Sequence, residues 1–288
     1  MSRFFLFISL LLWQNSGTAN EPLQFYYRIS DTTEYHNYPN DLIKLALEKT
    51  TAEFGPYTMI PVEPEANTLR ALSDIIQNKY GNMVLEQSYD PELDHSQLSF
   101  IPIPIDGGIN GYRICFVSPA KQKEIAKVDQ LNQLKKFTIA QGVGWTDSKI
   151  LKANGLNVLE LSNYANIFKM VVSNRVDLFC RGANQIEPEM QYFKHLHTLD
   201  FDKTFVLMYD APRFFYIHQK NQAAKARIEK GLDIAFKDGS LKLLWEQHHR
   251  KTIDYVDLSK RKIIRLENPL VNNLPPDYRD YYFNFLSP

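Results

Sequence analysis

Cysteine is scarce in this chain: Cys115 and Cys180 are the whole complement of its 288 residues. Two cysteines exclude a small disulfide-framed scaffold, and neither has neighbours at metal-ligand spacing. Both lie in apolar, strand-like runs, which favours two buried thiols packed as small hydrophobes. A disulfide between them is the other reading for an exported chain. Surplus charge is missing too. Lys and Arg total 33 against 33 for Asp and Glu, and no basic block marks nucleic acid or anionic membrane as a partner. After the N-terminus no apolar run approaches the ~20 residues of a spanning helix. Catalytic signatures are thin. Ser148 lacks a glycine-elbow context, His195 and His197 have no paired carboxylate at ligand spacing, and His248-His249 beside Arg250 form an exposed-face pattern. Glu187 and Glu189 point apart on a strand or splay on a helix, which does not suit paired acid and base work. No catalytic residue, metal or cofactor follows from these patterns.

What is present begins with a leader. Met1 to Ala19 carries Arg3, an apolar run from Phe4 to Trp13 and the small-residue end Gly17-Thr18-Ala19. That is the pattern of a secretory signal peptide cut after Ala19, with an uncleaved anchor as the alternative. It places the chain in the periplasm or outside the cell. The remainder is long enough for two lobes with separate cores.

Strand and helix signals then alternate. Leu23 to Arg28, Tyr57 to Val62 and Met83 to Leu85 read as strands, with Asp41 to Thr51 and Thr68 to Lys79 as amphipathic helices. This is the βαβ pattern of a mainly parallel sheet, whose ligands lie beyond the carboxyl ends of the strands. The loops Ser30 to Asn40, Pro61 to Asn67 and Glu86 to His95 are therefore expected to face a cleft. Phe100 to Ile105 alternates with prolines and cannot be a central strand. It leads through Gly107-Gly108 to the strand Tyr112 to Val117, a first crossing between lobes.

The second lobe is predicted as a helix over Val128 to Leu134, a strand over Phe137 to Ala140, and the loop Gln141-Gly142-Val143-Gly144-Trp145. A helix capped by Thr146 or Asp147 follows, stopping at Gly155. Next come a strand (Leu156 to Leu161), a helix (Tyr164 to Ser173) and an apolar strand, Val176 to Cys180, that ends on Arg181. Thr204 to Tyr209 and Phe214 to His218 suit a return crossing. Helices over Ala223 to Lys237 and Leu241 to His249 follow, and the aromatic, proline-bearing tail from Ile263 reads as irregular chain wrapping a surface.

Two stretches carry a family resemblance. Lys230-Gly231-Leu232-Asp233-Ile234-Ala235-Phe236-Lys237-Asp238-Gly239-Ser240-Leu241 resembles the C-terminal segment of periplasmic solute-binding proteins of family 3, the amino-acid-binding type. Leu131 to Asp177 is similar to the start of their second lobe. The tail after Tyr255 goes beyond the basic fold. The resemblance implies an α/β, two-lobed periplasmic-binding-protein type II-like fold with two inter-lobe crossings. Residues 20–112 and 210–288 would form lobe 1, and 113–209 lobe 2. It implies a monomer that captures a small-molecule ligand in the cleft for a membrane transporter or sensor. Two departures bear on that ligand. The family's carboxylate-gripping arginine is absent from Leu85 to Asn110, and Arg181-Gly182 stands where an aspartate usually binds an amino group. An acceptor-bearing, anionic ligand is thus favoured over a standard amino acid.

The candidate ligand-binding residues are Arg181, Trp145, Gly142, Gly144, Thr146, Tyr35 and Gln87, with Tyr38 beside them. Arg181 would grip an anion, or else pair with Glu187 or Glu189. Gly142 and Gly144 would admit an anion to backbone N–H groups at a helix N-terminus, or form a plain turn. Trp145 would supply an apolar wall, or pack on the domain. Two other classes stay open: a dehydratase-like enzyme on the same fold, and an interaction module docking a membrane protein through Tyr278, Tyr281, Tyr282, Phe283 and Phe285.

Overall fold

The computed structural model describes residues 21–28, 38–62, 68–93, 96–284 and 286. The leader and Tyr35 lie outside the described residues. In chain order the first part supplies β1 (Leu23–Arg28), α1 (Tyr38–Lys49), α2 (Thr51–Phe54), β2 (Tyr57–Val62), α3 (Thr68–Ile76), β3 (Met83–Ser88) and β4 (Leu98–Phe100). The middle part supplies β5 (Tyr112–Val117), α4 (Gln122–Ile125), α5 (Leu131–Leu134), β6 (Thr138–Gly142), α6 (Thr146–Ala153), β7 (Asn157–Leu161), α7 (Tyr164–Val172), β8 (Leu178–Gly182), α8 (Ala183–Tyr192), β9 (Asp200–Phe201) and β10 (Phe205–Met208). The chain ends with β11 (Arg213–His218), α9 (Gln222–Lys237), α10 (Ser240–Tyr255) and β12 (Lys262–Arg265), followed by short 3-10 turns.

Two sheets result. The first runs β2-β1-β3-β11-β4; the second runs β12-β10-β5-β8-β6-β7, with β9 also on β5. In the first, β1 pairs parallel with β2 and β3, and β11 returns antiparallel to β3 and β4. In the second, β6 lies parallel to β7 and β8, while β5 is antiparallel to β8 and β10. The apolar runs of β5 and β8 are the middle of that sheet because helices cover both faces, so continuous hydrophobicity replaces alternation. Among the described residues no helix is long and apolar enough to cross a membrane.

The first lobe's helical layer shows why one glycine belongs to the Gly-Leu segment. Gly231 of α9 lies so close to α1 that a Cβ there would stand 2.0 Å from the Ala46 carbonyl oxygen. Only a residue without a side chain lets the two backbones approach so closely. Leu42, Ile43, Ala46 and Leu47 of α1 are buried in the contact, as the helical spacing predicts.

Three expectations change. Cys115 and Cys180 are directly opposed in the β5–β8 pairing and form a disulfide, not two free thiols. The strands needed to bring them side by side are 65 residues apart in sequence, a pairing that periodicity does not reveal. The tail is not wholly irregular: its strand β12 pairs parallel with β10 in the second sheet, after which the chain returns to the first lobe, where Val271, Leu274 and Tyr278 join the core. His249 is buried, 7% exposed, and stacks edge-on against Tyr38 and Trp245, so the His248-His249 pair is not an exposed face.

Candidate functional site

The two crossings run side by side. Asn110 donates its side-chain amide to the Ala211 carbonyl at 3.1 Å, and Tyr209 N–H donates to Gly111 O at 3.1 Å. Just beyond the crossings, β5 opens on Tyr112-Arg113 and β11 on Arg213, so the chain enters the second sheet and re-enters the first with an arginine each time. A cleft of about 550 Å³, part of it open to solvent, is lined there by Gln87, Ser88 and Arg213 from the first sheet and Asn110 from the crossing. Arg113, Trp145, Thr146, Asp147, Arg181 and Gln185 line it from the second lobe.

Of the sequence candidates, Gln87, Trp145, Thr146 and Arg181 are brought together in this cleft. Gly142 and Gly144 are not among its lining residues. Gly142 closes β6, and a Cβ there would stand 2.4 Å from the Trp145 ring, so its small size seats the indole. Gly144, at φ +78°, makes the turn, with Leu69 of the first lobe 3.1 Å from where its Cβ would be. The helix cap also differs. Trp145 itself is the cap, and Thr146 and Asp147 are the first helical residues, buried beside the cleft. Tyr38 opens α1 and points into the core, donating its hydroxyl to Ile105 O at 2.5 Å, because the helix begins one turn earlier than the periodicity implied.

Arg181 takes both of the roles weighed for it. It lines the cleft and also pairs with Glu189, its Nε and Nη2 each 2.8 Å from Oε1. Its guanidinium lies 4.6 Å from the Trp145 ring centroid and 5.5 Å from that of Tyr164, whose hydroxyl donates to Glu189 at 2.6 Å. Burial opposes the charge, yet Glu189 and Tyr164 outweigh it and hold the guanidinium's pKa above its ordinary value. Much of Arg181's hydrogen-bonding capacity is therefore directed at the protein. Glu187 points elsewhere and binds Lys251 at 2.8 Å.

Arg113, Asp147 and Arg213 were not recognised from sequence. Arg113 is buried and its Nη2 lies 2.8 Å from Asp147 Oδ1, which also accepts the Tyr209 hydroxyl. Arg213 is held more loosely, 3.5 Å from Glu86. The Nε atoms of Arg113 and Arg213 are both buried without a hydrogen-bond partner. The legible signal was position: Arg113 and Arg213 open the strands that follow the two crossings, Arg113 just three residues beyond Asn110. Asp106 stands behind them, 5% exposed, with one carboxylate oxygen accepting from Gly108 N–H at 3.3 Å and the other without a partner. Burial pushes its pKa up to about 6, against the pull of Arg213 and Arg113. Beside the cleft, Lys149 of α6 reaches across to Asp90 at 2.7 Å and Glu92 at 2.5 Å, joining the second lobe to the first. Among the described residues no group of three His, Cys, Asp or Glu is placed to hold a metal ion.

No family model matches the sequence, and a search of curated proteins returns no match. Solved structures do match. An ancestral arginine-binding protein bound to arginine is 15% identical, with a TM-score of 0.56 over 80% of this chain and 98% of that one. An amino acid ABC transporter substrate-binding protein from Streptococcus pneumoniae, bound to L-arginine, is 12% identical, with a TM-score of 0.57 over 80% and 94%. An ancestral amino acid-binding protein, a precursor of cyclohexadienyl dehydratase, is 15% identical, with a TM-score of 0.54 over 79% and 95%. The chain therefore has the two-lobed α/β fold seen in amino-acid ABC transporter substrate-binding proteins.

Proposed function

We propose that this chain is an exported solute-binding protein that captures a small polar molecule bearing an acidic group, with the two lobes closing over it. The observation that carries the reading is the cleft lining. Three arginines line the cleft from both lobes with one carboxylate, Asp147, among the lining residues, and amide and hydroxyl side chains fill much of the rest; Glu189 and Glu86 pair with Arg181 and Arg213 from outside the lining. Arg213 is the residue assigned to grip the ligand from the first lobe, because it has the longest ion pair of the three and a buried Nε without an acceptor. Arg113 and Thr146 meet the ligand from the second lobe, with Gln87 on the facing side. Arg181 and Trp145 form the wall behind. A ligand touching both lobes favours the closed state by its difference in affinity for the two states.

The N-terminal leader supports export to the periplasm. The fold shared with substrate-binding proteins of ABC transporters supports delivery to a transporter, with presentation to a sensor as the other route for the same captured molecule. We assign lobe 1 to residues 20–112 and 210–288 and lobe 2 to 113–209, with β12 lent by the tail to the second sheet, and the protein acts as a monomer. A binding role is favoured over a dehydratase-like one because Asp147, the carboxylate in the cleft, is already engaged by Arg113 and Tyr209. The docking-module reading is less favoured, since Tyr278 is buried and the half-buried Tyr282 and Phe283 are engaged with Asp210 and Trp245; Phe285 lies outside the described residues.

A thermal-shift screen of organic acids, amino acids and phosphorylated metabolites tests the proposal. A ligand at a hundredfold excess over its Kd stabilises by about 2.7 kcal/mol. Stabilisation by acids, lost in Arg213→Gln, is the expected result. A ligand that stabilises wild type and Arg213→Gln equally overturns the assignment of Arg213, and selective stabilisation by uncharged or cationic compounds overturns the acidic ligand.

A further inference from the structure

We infer that the C-terminal segment from Leu266 to Phe283 is a third hinge strand that, through Asp210, sets how far the two lobes open. Three observations carry this. First, the segment physically crosses between lobes. It leaves the second sheet at Arg265 of β12, Leu266 N–H donates to Met208 O at 2.9 Å, and by Val271 the chain is in the first lobe's core with Leu274 and Tyr278.

Second, the segment is tied to both of the other crossings. On the 209–212 crossing, Asp210 is the anchor. Its carboxylate accepts the Tyr278 hydroxyl at 2.5 Å, Arg279 Nε at 2.7 Å and the Tyr282 hydroxyl at 2.6 Å, while its backbone carbonyl accepts the Asn268 amide at 2.6 Å. On the 106–111 crossing, Phe283 N–H donates to Gly107 O at 3.0 Å. The rings of Phe283 and Tyr282 lie where side chains at Gly107 and Gly108 would be, at 2.4 Å and 2.9 Å from the ideal Cβ positions. Gly107 and Gly108 have φ of +59° and +88°, so the backbone they form depends on having no side chain and is covered by the tail.

Third, the tied crossings carry cleft residues. Asn110, which lines the cleft, donates to the carbonyl of Ala211, the residue after Asp210, and Arg213 follows two residues later. Hinges open by changing φ and ψ at a few residues of the connecting chain. Here those residues are bracketed by a third strand, so opening must stretch or detach it. Asp210 and the tail are thus positioning residues, acting on the ligand through the hinge.

The inference is independent of what the cleft binds, and its test needs no ligand. Nitroxide labels at Lys44→Cys on α1 and Lys169→Cys on α7 report the inter-lobe distance by pulsed electron spin resonance, since both sites are exposed and the native cysteines are joined. In the full chain, Asp210→Asn and the double variant Tyr278→Phe/Tyr282→Phe are expected to broaden the distribution and add longer distances. A distribution that superimposes on wild type overturns the inference, including the case where only the unfolding midpoint falls. Should the Asp210 variant fail to fold, Tyr282→Phe alone removes one hydroxyl from the carboxylate and is held to the same criterion.

Discussion

Replacing Asp106 with Asn should stabilise this protein at neutral pH and leave it unchanged in acid. The carboxyl is 5% exposed, one of its oxygens has no hydrogen-bond partner, and burial raises its pKa from 3.8 to about 6 despite Arg213 and Arg113 nearby. At about 1.4 kcal/mol for each tenfold change, keeping that group ionised in the fold costs about 3 kcal/mol. The direction follows from proton counting. Because the folded pKa lies above the unfolded one, the folded state holds a proton that the unfolded chain has lost between about pH 4 and pH 6. Asp106 therefore destabilises the fold fully above about pH 6 and not at all below about pH 4. The neutral amide removes this dependence. Urea denaturation of wild type and Asp106→Asn, stepped from about pH 4 to pH 8, should give a stability difference near zero at the acid end, rising to about 3 kcal/mol in favour of the variant. Other carboxylates cancel in that difference. A variant less stable than wild type at pH 8, or a difference that does not vary with pH, would refute the assignment of Asp106 as a buried, poorly solvated acid.

Three further outcomes follow from particular contacts. Joint replacement of Cys115 and Cys180 by Ala should lower stability by about 4 kcal/mol, from the chain-entropy estimate for a closed loop of 65 residues, measured as a fall in urea midpoint under oxidising conditions. Arg181→Ala should cost about 3 to 5 kcal/mol because it leaves Glu189, 1% exposed, without its counter-charge. The double variant Arg181→Met/Glu189→Leu should recover most of that loss, and a double variant no better than the single would remove the pair from the account. Gly231→Ala should cost about 1 to 3 kcal/mol by overpacking α9 against α1, visible as a lower unfolding midpoint; an unchanged midpoint would show that the helices can part at no cost.

Much of the architecture was legible because it is written in local patterns. Helical spacing placed α7 and α9, and apolar runs placed β5, β8 and β11, within a residue or two, while α1 and α3 were each placed with one end three residues off. The glycine stop at Gly155 appears as foreseen, at φ +75°. The cleft positions of Arg181 and Trp145 were legible because they follow a strand and a glycine turn, the places where α/β sheets expose residues to ligands. The remainder depends on which strands become neighbours. Cys115 meets Cys180 only through the β5–β8 register, and Arg113 meets Asp147 only when α6 is laid against the crossing. The tail's aromatic residues left a wrapping role and a docking role both open because local chemistry does not say what they cover; the fold turns Tyr282 and Phe283 onto Gly107, Gly108 and Asp210.

By itself the sequence determined the alternation of strands and helices, the division into two lobe-sized parts, and a second-lobe edge ending on Arg181. These rest on periodicity, turn chemistry and chain length, which act within a few residues. Only the tertiary structure decided that Arg181 is paired with Glu189, that Arg113 and Arg213 face one cleft from two lobes, and that the tail crosses the hinge. Those facts are contacts between distant segments, and burial and pairing of charge exist only once the chain has brought them together.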